Sequence, residues 1–203
     1  MRTVTGLYDS YSDARAAVRS LEDAGISSDD ISIVSNKGDG ISAEGQGNES
    51  ADGAGTGAGI GAVAGGAGGL LAGLGMLAIP GVGPVVAAGW LVATAAGAAA
   101  GAVVGGAAGG IVGAMIKSGV PEEDAHLYAE GVRRGGSVVT ARVEEDRAAL
   151  AQNILHQSRS VNLPERRAAY ASEGWNRFDE RADPYSTDQI KQERLRFDSS
   201  RRT

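Results

Sequence analysis

The side chains best suited to chemistry are few. His126 and His156 are the only histidines, and Glu122-Glu123-Asp124 and Glu144-Glu145-Asp146 are acidic triplets. Imidazoles and carboxylates can ligate a metal or move a proton. Yet the two histidines fall on separate predicted helices, and each triplet lies where a helix is expected to begin, where carboxylates complement its positive end. Arg133-Arg134 closes a predicted helix; it could meet lipid headgroups, but charge compensation at a helix C-terminus is the plainer reading. Gly53-Ala54-Gly55-Thr56-Gly57-Ala58 fits a loose dinucleotide fingerprint, but it lacks the strand before it and the acidic residue after it that such a site needs. There is no cysteine, hence no disulfide, zinc-thiolate site, iron–sulfur cluster or thiol nucleophile. No P-loop, HExxH or nucleophile elbow is present. The expectation is a protein without catalytic residues, metal site or cofactor. A net charge of −6 also argues against nucleic acid as a partner.

The elements around these residues read as two halves. Thr3–Tyr8 is a β-type run. Ser10-Tyr11-Ser12-Asp13 offers a capping box, and Ala14, Ala17, Val18 and Leu21 share one helical face, with Gly25 as the stop. Ile31–Val34 reads as a second strand, and 37–52 as a flexible polar linker. Pro121 suits the first turn of a helix that turns Leu127, Tyr128 and Val132 inward and ends at Gly135-Gly136. Ser137–Val143 is a strand. Asp146 can cap a helix with Leu150, Ile154 and Leu155 on its apolar side, and Ser160–Leu163 suggests a fourth short strand. The order β-α-β, β-α-β, with the Pro121 helix set aside, predicts an α+β, ferredoxin-like domain: an antiparallel sheet with both helices on one face. Its halves are 1–36 and 117–163. The first twenty residues carry five charges and no long apolar core, so no cleaved signal peptide is expected. From 164 to 203 the chain is charged and poor in apolar residues, which predicts disorder apart from a short helix near Thr187–Arg196. Trp175 and Phe178 are candidates for docking.

Between the halves, Gly53 to Ile116 is 64 residues without a charge: 21 Gly, 19 Ala, 20 larger apolar residues, two Pro and two Thr. Pro80-Gly81-Val82-Gly83-Pro84 divides it into two arms, the turn residues being Pro80, Gly81, Gly83 and Pro84. Gly57, Gly61, Gly65, Gly69 and Gly73 recur every fourth residue, as do Gly89, Ala93, Gly97, Gly101, Gly105, Gly109 and Gly113. On a helix such a series lies on one face and lets backbones pack closely. The expectation is an inserted Gly/Ala-rich helical hairpin, a glycine zipper. Either arm is long enough to cross a bilayer. The partner is then lipid, with the domain at the cytoplasmic face of the membrane. The alternative is a soluble homo-oligomer that buries its hairpins together and exposes a ligand-sensing or protein-binding face. A disordered coil comes third.

Three runs resemble a known family: Ile79-Pro80-Gly81-Val82-Gly83-Pro84, then Gly119-Val120-Pro121-Glu122-Glu123-Asp124-Ala125, then Tyr128-Ala129-Glu130-Gly131-Val132-Arg133-Arg134-Gly135-Gly136. With the N-terminal β-α-β pattern and Glu173-Gly174-Trp175 with Phe178, they resemble the bacterial heat-induced general stress proteins of the YflT type. The resemblance implies a stress-related role. It implies no catalytic residues and no biochemical activity.

Overall fold

The computed structural model describes residues 1–36, 75–94 and 110–200 of the 203-residue chain. It is an α+β protein built on a five-stranded antiparallel sheet of order β1-β5-β2-β4-β3. The strands are β1 (Arg2–Tyr8), β2 (Ile31–Asn36), β3 (Gly75–Ile79), β4 (Gly83–Gly89) and β5 (Ser137–Val143). The helices are α1 (Tyr11–Asp23), α2 (Gly110–Lys117), α3 (Glu122–Arg133), α4 (Ala148–Gln157), α5 (Leu163–Ala171) and α6 (Thr187–Ser200). Residues 90–94 are also helical.

Local chemistry sets these elements where expected. The Ser10 hydroxyl accepts the Asp13 N–H at 3.1 Å and caps α1, whose Ala14, Ala17, Val18 and Leu21 are completely buried. β5 inserts between β1 and β2, antiparallel to both, so the β1-α1-β2 crossover straddles one strand. Alternation then splits the side chains between two faces. Val4, Ile33, Val139 and Ala141 pack with α1 and α4. Leu7, Val34, Val85 and Val138 pack with α2 and α3. Both faces are covered, so the helix following Pro121 is part of a third layer.

The structure corrects several expectations. The uncharged stretch is not a helical hairpin where it is described: 75–89 forms β3 and β4, and the Pro80–Pro84 turn joins two strands. The reason is visible in the four-residue glycine series, which stops at Gly73 and resumes at Gly89. Between them stand Ile79, Val82, Val85 and Val86, β-branched residues that favour a pleated surface; the free edge of β2 pairs with Val85 and Val86, and Ile79 pairs in turn with Gly83 of β4. Gly89 ends β4 and Gly113 lies in α2. Gly57, Gly61, Gly65, Gly69, Gly73, Gly97, Gly101, Gly105 and Gly109 lie outside the described residues, as does the linker 37–52.

Pro121 is the N-cap of α3 rather than its first residue. The helix after β5 is capped by Arg147, not Asp146. Its inner face is Ala148, Ala151 and Leu155, and Leu150 lies off that face, 46% exposed. Ser160–Leu163 makes no strand: the Val161 N–H donates to the Leu7 carbonyl at 2.7 Å. Leu163 and Pro164 then open α5, capped by Asn162. Finally, the tail is ordered through residue 200. Composition pointed to disorder apart from a helix near Thr187–Arg196; the structure has that helix and α5 as well, and Tyr170 of α5, Ile190 of α6 and Phe178 between them are all buried.

Candidate functional site

The one buried charge cluster among the described residues lies where β1 ends, β5 begins and α3 terminates. Helical spacing puts Glu130, Arg133 and Arg134 on adjoining positions of the last turn of α3. Glu130 is 1% exposed. Its carboxylate accepts from Arg134 Nε at 2.7 Å and from Arg133 Nη1 at 3.2 Å. Arg134, 6% exposed, also donates from Nη1 to Glu173 at 2.6 Å and to Glu193 at 2.9 Å. Its guanidinium lies 3.9 Å from the centre of the Tyr170 ring. Arg166 of α5 pairs with Asp9 at 2.7 Å and lies 3.5 Å from the centre of the Phe197 ring. Arg196 pairs with Glu173.

Such a cluster is held by satisfied pairings, since a buried charge without a partner is costly. Burial pushes the Tyr170 phenol up to about 12, with the Arg166 charge opposing that rise. The phenol is therefore neutral, and Arg166 donates to it at 3.5 Å. Between Asp9, Arg134, Arg166, Tyr170, Glu193 and Phe197 only about 10 Å³ is left, room for one water. With the tail in place the cluster is closed.

The tail reaches this cluster across two glycine turns. A Cβ on Gly81 would stand 2.7 Å from the Asp179 carbonyl oxygen and 2.8 Å from Glu180 Cα. One on Gly83 would stand 2.8 Å from Pro184 Cβ, and one on Gly135 would collide with Ile190 Cγ2. Phe178, 5% exposed, joins the core beneath Val82 and Val85. Trp175 packs edge-on against Tyr170, ring centres 5.8 Å apart. The turn residues and the two tail aromatics singled out from the sequence thus meet at one end of the sheet. Asp9, Arg166, Tyr170 and Glu193 carried no sequence signal of their own, and Glu130 and Glu173 stood out only as members of the runs that resemble the stress-protein family. Only the i, i+3, i+4 spacing of Glu130, Arg133 and Arg134 could have marked the site.

The remaining candidates lie apart. His126 lines an open groove of about 460 Å³ with Glu122, Glu123, Arg167, Asn176 and Arg177. Its ring is buried, and Nε2 stands 3.6 Å from Glu122. Burial lowers its pKa from the ordinary histidine value, Arg177 lowers it further, and Glu122 opposes both. Arg177 and Arg167 hold Glu122 and Asp124 at 3.0 and 2.6 Å. His156 is on the surface beside Gln152. Among the described residues no group of three or more His, Cys, Asp or Glu could hold a metal, and no helix is long and apolar enough to cross a membrane.

Residues 3–80, from β1 to the first residue of the Pro80–Pro84 turn, match the family model of the heat induced stress protein YflT domain. The chain carries a YflT domain. No curated protein and no solved structure matches it. That match supports a general stress role for the protein. The Gly119–Ala125 and Tyr128–Gly136 runs lie beyond the matched span, as do the docked tail and every residue of the buried cluster except Asp9.

Proposed function

We infer that the protein acts without catalysis in the stress response, by self-association through its charge-free, small-residue segments. One observation carries this reading. The chain enters the sheet at Gly75 and leaves it at Gly89, and registry puts both residues at the end of the sheet opposite the buried charge cluster. The uncharged segment 53–74 therefore reaches the fold at that end, on the edge strand β3, and 95–109 departs just beyond β4 there, while the chain returns at Gly110 beside Glu180, near Gly81 at the other end. Their glycines and alanines permit close backbone approach between copies.

Topology also weighs against a membrane-spanning hairpin. The expected tip at Pro80–Pro84 is built into the sheet, with Val82 and Val85 fully buried. The 38 residues 37–74 contain an uncharged run of only 22, about one crossing of a 30 Å hydrocarbon core. A single crossing would put β2 and β3 on opposite sides of the bilayer, although β4 pairs with both. A second reading, attachment to the cytoplasmic face of the membrane without crossing it, is favoured by the lack of charge from Gly53 to Ile116.

Light scattering of lipid-free protein over a hundredfold concentration range tests the first reading. The expected result is a concentration-dependent oligomer that Gly65→Leu and Gly101→Leu weaken; a monomer throughout overturns it. Flotation with anionic vesicles tests the second, which requires the protein to rise with the lipid.

A further inference from the structure

We propose that the Pro80–Pro84 and Arg133–Gly136 turns form a receptor surface for the segment Phe178–Phe197, and that the same surface takes that segment from a second copy of the chain. The proposal rests on the self-association reading and names the contact that makes it specific. The surface is shaped for this ligand. Gly81 and Gly83 leave the space that the Asp179–Glu180 backbone and Pro184 fill, and Gly135 leaves the space for Ile190. Arg134 receives Glu193, while Arg133 donates to the Asp183 carbonyl at 3.2 Å and lies 5.0 Å from the Tyr185 ring centre. Two apolar anchors, Phe178 and Ile190, are sealed at 5% and 3% exposure.

Beyond those anchors the segment is held by ion pairs of Glu193 and Arg196, by Arg194 on the Gly135 carbonyl and by Phe197 against Arg166 and Tyr170. Leu195 of α6 is 71% exposed, and residues 191, 192, 195 and 196 face solvent. Between Ala171, the end of α5, and Phe178 run six residues outside any helix, a leash that spans about 23 Å when extended. A neighbour packed side by side thus presents its own surface within reach. The contacts are identical within a chain and between chains, so exchange changes only the leash, the low-cost route to dimers. Dilution favours the intramolecular form through its high effective concentration. Crowding of copies through the charge-free segments favours exchange.

The chain has no cysteine, so single labels can be placed cleanly. Lys191→Cys with a donor dye and Ala78→Cys with an acceptor, both exposed positions, are carried on separate full-length chains and mixed. Energy transfer between chains that rises with protein concentration, in step with the oligomer, is the expected result. Because the closed and exchanged forms share these contacts, Ile190→Ala on the donor chain should loosen its tail from both surfaces alike and leave the ratio of exchanged to closed tails unchanged. Glu193→Lys on the donor chain and Arg134→Glu on the acceptor chain each spoil docking within their own chain and match only across chains, so together they should raise transfer above that of the otherwise unaltered pair. If the Arg134 variant does not fold, transfer between the two labelled chains without further substitution still decides. An oligomer without interchain transfer overturns tail exchange and leaves self-association standing. Absence of both overturns the two together.

Discussion

Glu130 is the residue on which the charge cluster turns, because its carboxylate is sealed from water and has only arginines for partners. Arg134→Ala removes the nearer one and leaves Glu130 with Arg133 alone. Breaking a buried pair from one side costs about 3–5 kcal/mol, and urea unfolding should read a loss of that order. The double variant Glu130→Gln/Arg134→Met removes both charges and should be milder than Arg134→Ala, which a double-mutant cycle will show. His126 makes a second residue-scale prediction. Its folded pKa lies below the unfolded value of about 6.5, so the unfolded chain takes up the proton first. The stability this neutral ring contributes is complete above pH 6.5 and is lost as pH falls towards the lowered value. Urea midpoints for the native chain should drop across that window, and His126→Gln should flatten the drop.

At the scale of elements, Gly89 tests what the glycine series is for. Its φ of +96° lies where side chains are disfavoured, and a Cβ there would overlap the Ile31 carbonyl oxygen. Gly89→Ala should therefore break the β2–β4 pairing and lower the melting temperature by several degrees, about what a loss of 2 kcal/mol or more produces. A helix-packing role would instead tolerate alanine, as Ala93 does in the same series. The elements legible in the sequence were those with local punctuation. The Ser10 cap, the Ala14–Leu21 face, β2 and β5 all announce themselves within a dozen residues. β3 and β4 were obscured because alternation is faint among glycine and alanine, and because their stability comes from β2, about fifty residues earlier. α6 was expected near Thr187–Arg196 and begins at Thr187, but α5 and the docking of the tail were obscured for the converse reason: few apolar residues anchor them, and Glu173 and Glu193 find Arg134 only across the fold. The Pro80–Pro84 turn was readable as a turn, but not as a seat for the tail.

In the whole molecule, order is graded from the sheet outward. β2 and β5 are buried on both faces, whereas α6 is held by Ile190, by the ion pairs of Arg134 and Arg196, and by the Arg194 guanidinium donating to the Gly135 carbonyl at 2.8 Å. A segment with so few buried contacts opens at a lower free energy than the core beneath it. Native-state hydrogen exchange should thus find the amides of 187–200 opening well before those of β5, with Trp175 fluorescence changing as the tail leaves Tyr170. Adding urea should raise the opening of β5 steeply and that of α6 little, since α6 exposes little surface when it leaves. If 187–200 and β5 exchanged with one free energy and one urea dependence, tail and sheet would be a single cooperative unit, and the tail could not leave its surface without unfolding the protein.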